Sequence, residues 1–362
     1  MKRIAIISMG GTAVTLIIFV VLSLGSCGGG GGGGGTPAPT TQNNLLSGDY
    51  QFHVLEYNND GVSNNLVASV HAMTADGNGN ITNPAAGVTY QVEADRTMSL
   101  NSGSSHPVQH GNISSSGTVA ILMEAQYQDP SDTDDLQLFV GIKKSSGLTL
   151  AAMSGTYIVG QEGRNGGVHY TTRAELQLAS NGTGTWTTLT HSQGAIPPPY
   201  NVTVSLNAAA DGTFTMTSPS WTNSLAGILA PNADVLVMVD TNVSLTVGVR
   251  ESGGTAPVMS GTYQAFFAGM DNGSKLARRF NATFNPGTMM FDCTVLALFD
   301  PSDPTGTGSA GMTLSVPVTA VGGDGAFVVD TEPGILSPDG TFFMVLDAST
   351  GDGETKIVVG QK

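Results

Sequence analysis

The tetrapeptide Ser47-Gly48-Asp49-Tyr50 returns as Ser154-Gly155-Thr156-Tyr157 and again as Ser260-Gly261-Thr262-Tyr263, with the tyrosines 107 and 106 residues apart. Whatever one unit of this chain folds into, it must therefore fold into three times. Each unit also closes alike: Leu138-Phe139-Val140-Gly141 matches Leu245-Thr246-Val247-Gly248 and Ile357-Val358-Val359-Gly360. Two residues beyond each closing glycine stands a base, Lys143, Arg250 or Lys362. The units therefore run 46–147, 148–254 and 255–362.

Inside a unit, short alternating runs are separated by turn residues, which is the pattern of strands. Unit two reads as strands over Thr156–Gln161, His169–Leu178, Thr183–Thr190, Tyr200–Leu206, Thr213–Thr217, Ala226–Leu229, Val235–Val239 and Leu245–Arg250. Asn181-Gly182 and Asp211-Gly212 are hairpin signals, joined by Asp76-Gly77 in unit one and Asp324-Gly325 in unit three. The chain is expected to be all-β, with about eight antiparallel strands per unit closing into an up-and-down barrel that leaves no edges. A β-sandwich per unit, or one six-bladed propeller with two blades per unit, are the alternatives. The halves of a unit do not resemble each other, which counts against the propeller.

The first 45 residues are of another kind. Lys2 and Arg3 precede an almost wholly apolar run from Ile4 to Leu24, which has the make-up of a secretory signal. That run ends in Leu24-Gly25-Ser26-Cys27, which resembles the bacterial lipobox. The resemblance implies cleavage after residue 26 and acylation of Cys27 as the first mature residue. Gly28, rather than Asp, follows the cysteine, and this resembles the pattern sorted to the outer membrane. The other reading is an uncleaved membrane span, since ~20 apolar residues cross a bilayer. Both readings place residues 46–362 outside the cytoplasm. Eight glycines, Gly28 to Gly35, open a tether whose 17 residues to Asn44 have an r.m.s. span of roughly 23 Å.

Without Lys2 and Arg3 the mature chain has 11 basic against 28 acidic residues, a balance of −17. Such a surface repels nucleic acid, so no nucleic-acid partner is expected. Lipidation of Cys27 leaves Cys293 alone, so no intrachain disulfide is available. Cys293 lies in a strand-like run and is expected to be a buried structural thiol.

The opening and closing motifs together resemble the calycin superfamily. Lipocalins and avidins open their first strand with Gly-x-Trp, and many calycins lay a base from near the last strand across that ring. Here the pairs are Tyr50 with Lys143, Tyr157 with Arg250 and Tyr263 with Lys362, with Tyr in place of Trp. The resemblance implies that each base caps its tyrosine. It also implies that Tyr50, Tyr157 and Tyr263 floor three ligand cavities, if the barrel interiors are open.

Other candidate sites are weaker. A carboxylate ends the seventh strand of each unit, at Glu124, Asp240 and Asp347, opposite an apolar face such as Val119, Ile121 and Met123. If that apolar face is the barrel core, the acids point to solvent, and this is the expected arrangement. Acidic loops offer oxygen ligands to Ca²⁺, and Asp129, Asp132, Asp134 and Asp135 are the main candidates. The Asp-Pro-Ser-Asp motif recurs out of phase, 79 and 37 residues after its unit's tyrosine, so solvated turns are the simpler reading and no cofactor is expected. His106 and His110 flank Pro107, and in extended chain they stand ~13 Å apart. His53 and His71 fall on the first two strands of unit one and face each other in one possible register. No Gly-x-Ser-x-Gly elbow, Ser-x-x-Lys pair or haem motif is present.

These observations point to a membrane-anchored cell-envelope lipoprotein that acts as a non-catalytic binding or structural module. Its partners would be membrane lipid, through Cys27, and an envelope protein, glycan or small molecule. A carrier of small apolar ligands and an envelope hydrolase are the other readings.

Overall fold

The computed structural model describes residues 41–362 apart from 60–63, 85–86, 102–108, 126–135, 166, 208–210, 241–242, 272–273, 300–309 and 348–354. It is all-β, with three antiparallel eight-stranded sheets in tandem. Barrel 1 comprises β1 (Ser47–Asn59), β2 (Asn64–Asp76), β3 (Ile81–Asn83), β4 (Thr89–Val92), β5 (Thr97–Asn101), β6 (Gln109–Ile113), β7 (Val119–Ala125) and β8 (Leu136–Lys143). Barrel 2 comprises β9 (Gly155–Asn165), β10 (Val168–Leu178), β11 (Thr183–His191), β12 (Tyr200–Leu206), β13 (Thr213–Thr217), β14 (Leu225–Leu229), β15 (Val235–Asp240) and β16 (Ser244–Arg250). Barrel 3 comprises β17 (Gly261–Asp271), β18 (Ser274–Asn285), β19 (Met290–Phe299), β20 (Thr313–Pro317), β21 (Ala326–Val329), β22 (Glu332–Leu336), β23 (Phe342–Asp347) and β24 (Thr355–Gln361). Every strand predicted for unit two is present, and neither a sandwich nor a propeller forms.

In each sheet the strands follow chain order, and the last pairs with the first: β8 with β1, β16 with β9, β24 with β17. Barrel 2 closes fully. Barrels 1 and 3 each close through a single bridge, Asn80 to Thr89 and Val318 to Val329.

Period two decides what lies inside. On β1, Tyr50, Phe52 and Val54 point inward and pack with Met73, Met98 and Leu122. On the opposite face, Leu55 and Tyr57 join a different cluster. That second cluster draws on equivalent outward faces of all three barrels: Ile121 and Val140 from barrel 1, Val237 and Val247 from barrel 2, Met344 and Val359 from barrel 3. The first, seventh and eighth strands of every barrel thus bury both faces, as the continuous burial of β15, β16 and β23 shows. The fourth strands β4 and β12 alternate buried with exposed residues, as a strand wet on one side must. Each fully buried aliphatic side chain contributes about 1.5–3 kcal/mol, so the shared core stabilises the assembly on the scale of a domain core.

The contacts run in one sense around this core. β1 and β2 lie against β15 and β16, β9 and β10 against β23 and β24, and β17 against β8. The three barrels close a ring, and residues 41–362 form one compact unit.

This arrangement corrects the expectation for the seventh-strand acids. The apolar face Val119, Ile121 and Met123 is the outward one, in the shared core, so Glu124 shares the inward face with Ala120 and Leu122. Glu124 is 9% and Asp347 3% exposed, and Asp240 is half-buried. Their partners are Gln109, Lys356 (3.0 Å) and Asn223 (3.1 Å) respectively. His53 and His71 do not face each other either. His53 pairs with Val70 while His71 pairs with Phe52, which places the two rings on opposite faces.

Candidate functional site

The repeated motifs build one device three times. The glycines Gly48, Gly155 and Gly261 take φ of 91°, 140° and 72°, a region that favours glycine. They turn the chain so that the tyrosine two residues later enters the barrel. Four residues before each tyrosine, Leu46, Met153 and Met259 are buried in the same three interiors. This apolar plug recurs in phase in the sequence, one residue ahead of the Ser-Gly-x-Tyr tetrapeptide, and belongs to the motif.

Each tyrosine is 0% exposed. Its hydroxyl donates to the carbonyl of one residue in the turn between the sixth and seventh strands: Tyr50 to Gly117 (2.5 Å), Tyr157 to Ala233 (3.1 Å), Tyr263 to Gly340 (2.8 Å). All three acceptors have positive φ, and Ala233 does so without being glycine, at 61°. Burial pushes each phenol up, that of Tyr157 to about 12.

The closing bases lie over the rings. Lys143 Nζ is 6.0 Å from the Tyr50 centroid, Arg250 Cζ 5.5 Å from Tyr157, and Lys362 Nζ 4.9 Å from Tyr263. Strand register accounts for this, since Tyr50 pairs with Lys143 and Tyr157 with Arg250 across the closing ladder. Arg250 also donates to the Ala152 carbonyl (2.9 Å) and to that of Ser154. A side chain with no accessible area leaves no water-sized space against it. The tyrosines therefore act as packed plugs of the barrel ends and line no open pocket.

Cys27 and the acidic candidates Asp129, Asp132, Asp134 and Asp135 lie outside the described residues, as does His106. His53 is buried between barrels 1 and 2 near the Ala226 backbone, and burial depresses its imidazole to about 3. Cys293 is buried on β19, and burial raises its thiol to about 11. Among the described residues, no group of three or more His, Cys, Asp or Glu side chains is placed to hold a metal ion.

Among the described residues, two polar places occur on the axis of the ring. Near the strand ends far from the tyrosines, Glu162 is fully buried where barrels 1 and 3 have Leu55 and Ala268. The Tyr57 hydroxyl donates to Glu162, Thr355 lies 3.5 Å from the same oxygen, and Glu162 Oε2 has no partner. Burial raises the Glu162 carboxyl well above the usual range and favours its neutral form.

At the tyrosine end, the three turns that receive the tyrosine hydroxyls surround a cavity of about 100 Å³. Asp234, Asp339, Thr118 and Thr341 line it, with Gln361 below. Burial and the neighbouring Asp339 push the Asp234 carboxyl up to about 6. The space admits an ion or a few waters and is small for a sugar ring. No protein-family model matches this chain, and no curated protein sequence matches it significantly.

Proposed function

We propose that the protein is a cell-envelope lipoprotein whose three barrels serve as a rigid, non-catalytic binding or structural module, anchored in the outer membrane through acylated Cys27. The observation that carries the non-catalytic reading is the filling of the molecule by its own side chains. Three barrel interiors and the shared core are apolar and packed. A carrier of apolar ligands needs the tyrosines to face open space, and they face none. A hydrolase needs a substrate-sized cleft beside its acids, and the pair Asp234 and Asp339 shares only the small axial cavity.

What such a body offers to partners is its surface. In an up-and-down barrel, alternate hairpins gather at opposite ends. The chain enters barrel 1 at the tyrosine end, where Leu45 accepts from Tyr50 (3.2 Å). We assign recognition of an envelope protein, glycan or small molecule to the outer surface of the barrels. The acidic balance of the chain disfavours nucleic acid as the partner.

Two measurements test the reading. Cells grown with a labelled fatty acid should yield acylated wild-type protein in the outer-membrane fraction, and Cys27→Ser should lose both label and fractionation. An unmodified Cys27 in processed protein would refute the anchor. A fluorescent apolar probe should show no saturable binding to the purified protein, whereas stoichiometric uptake would restore the carrier reading.

A further inference from the structure

We propose that β20 is a docking edge for an extended segment of a partner protein, one with aromatic or aliphatic side chains at alternate positions and lysine or arginine between them. This docking rests on the reading of the barrels as a non-catalytic binding module and gives that module a place and a class of partner.

Two equivalent rows show where barrel 3 departs from barrel 2. Across barrel 2, Tyr157, Leu176, Trp186 and Tyr200 stand side by side on neighbouring strands. The same row of barrel 3 is Tyr263, Ala282, Cys293 and Leu314. In barrel 2, residues 218–224 join the fifth strand to the sixth. They lay Trp221 against Trp186 and Tyr200, with ring centroids 5.7 and 6.0 Å apart, and Trp186 is left 4% exposed. In barrel 3, only Asp330 and Thr331 join β21 to β22. Leu314, in the place of Tyr200, is 41% exposed, and Met312 beside it is 39% exposed.

The uncovered strand also has an open backbone edge. β20 pairs with β19 alone. Val295 N–H donates to the Met312 carbonyl (2.8 Å) and Val318 N–H to that of Met289 (2.9 Å). Bonded pairs alternate along an antiparallel ladder, so Leu314 and Val316 turn their peptide groups to β19 and Thr313, Ser315 and Pro317 turn theirs away. The Pro317 carbonyl accepts from the Asp330 amide (2.8 Å). Thr313 and Ser315 are exposed, and their N–H and C=O groups have no backbone partner among the described residues. Sheet edges are ordinarily shielded by lysine, proline or an inward charge, and Thr313 to Val316 carry none of these.

The open edge identifies the occupant. Unpaired peptide groups in a row are matched by another extended backbone. The partner residue opposite Leu314 lies on the same side of the sheet, where an apolar side chain would cover Leu314 as Trp221 covers Tyr200. Its two neighbours point outward, toward exposed carboxylates. Asp292 accepts from the Ser315 hydroxyl (2.6 Å), and Asp330 adjoins Pro317. Neither acid makes an ion pair among the described residues. These acids favour lysine or arginine at the outward positions, and with the −17 balance of the mature chain they oppose a second copy of this protein.

A fluorescein-labelled synthetic peptide, Thr-Phe-Lys-Trp-Lys-Leu-Thr, is the probe. Its anisotropy should rise to saturation with full-length protein in detergent. The same peptide N-methylated at both lysines, which loses the amides that face β20, should bind about tenfold more weakly or not at all. Ser315→Pro removes the one N–H of that residue, which points to the partner and not to β19, and should cause a similar loss. Ser315→Ala keeps that N–H and should bind as wild type does, although it loses the bond to Asp292. Absent saturation, equal binding of the N-methylated peptide, or undiminished binding by a folded Ser315→Pro variant would overturn the docking edge. A wild-type dimer in sedimentation that Ser315→Pro abolishes would also overturn it, by giving the edge to a second copy. None of these outcomes bears on the anchor or the packed interiors, which acylation and uptake of the apolar probe test separately.

Discussion

The barrel interiors and the shared core are both apolar and closely packed, yet they are written in opposite ways. In the interiors the same positions recur three times: an apolar plug, a glycine at positive φ, a tyrosine and a base. Around the axis, equivalent positions differ. His53, Gly160 and Phe266 correspond, as do Leu55, Glu162 and Ala268, and Asn112, Ile228 and Ile335. The reason is steric. Each interior is a separate space that makes the same demand, so one solution serves three times. Near the axis three copies of one position compete for a single space, and a large side chain from one barrel requires a small one from another. Gly160 illustrates this, because a methyl group there would lie 2.7 Å from Met344 Sδ and 3.2 Å from a Leu346 methyl of barrel 3. Repetition thus marks what a barrel needs, and its failure marks what the ring needs.

If the outward faces belong to a common core, a barrel cut from the ring should fail. Residues 148–254 alone would expose Ile158, Val235, Val237, Val239, Leu245, Val247 and Val249 together. Such a patch drives association. The fragment is expected to aggregate or to bind an apolar dye strongly, while residues 41–362 remain monomeric and folded. A soluble, dye-silent single barrel with a cooperative melt would break the comparison. The next largest effect concerns the interiors. Tyr50→Ala, Tyr157→Ala and Tyr263→Ala should each destabilise by about 3–5 kcal/mol, because each removes a fully buried ring. Denaturant unfolding would show whether the three losses agree. One near-neutral substitution among them would mean that the repeat is inherited and not required.

The strands and hairpins were legible in the sequence because alternation and Asn-Gly or Asp-Gly turns are local signals. In unit two the predicted and observed strands differ by a few residues at their ends, the largest extension being β9 to Asn165. The base over the tyrosine was legible through joint recurrence. What could not be read was which face of a two-faced apolar strand lies inside. Period two separates Val119, Ile121 and Met123 from Ala120, Leu122 and Glu124, but it does not say which set meets its own barrel and which a neighbour. The alternation alone therefore points the carboxylates to solvent, whereas the structure turns them inward. The turn residues that receive the tyrosine hydroxyls leave no repeated glycine signal, because one of them, Ala233, departs from glycine. The axial cavity has no local signature, because its residues are far apart in sequence and meet only when the ring closes.

Glu162 sharpens the comparison from the axis side. Its folded carboxyl is raised by burial, so folding above the unfolded carboxylate range, about pH 4.3, must take up a proton. The stability it contributes is complete below that pH and declines as pH rises. Glu162→Gln keeps an acceptor for the Tyr57 hydroxyl and removes the titration. Its thermal midpoint should match wild type near pH 4 and exceed it by a margin that grows toward pH 8. A deficit relative to wild type that grew as pH rose would instead show that the folded state requires the ionised acid.

The smallest expected effect tests the bases that close each barrel. Arg250 and Lys143 occupy equivalent positions, but they are bound differently. Arg250 lies over Tyr157 and donates to two carbonyls of the segment that enters barrel 2. Lys143 lies 6.0 Å from the Tyr50 centroid, and its chain covers Gly48, whose added Cβ would stand 3.4 Å from Lys143 Cε. A cation over an exposed ring contributes about 0.5–1 kcal/mol, and a hydrogen bond from a charged donor adds about 1.5–3 kcal/mol when buried and less when wet. Both bases are half-buried, so Arg250→Ala should cost about 1–2 kcal/mol and Lys143→Ala about 0.5 kcal/mol. Arg250→Lys separates the two contributions, because lysine keeps the charge over Tyr157 but lacks the fork that reaches both carbonyls. Recovery of most of the loss by lysine would assign the device to the ring. Failure to recover it would assign the device to the entering segment, and would make the tyrosine a plug that the base only covers.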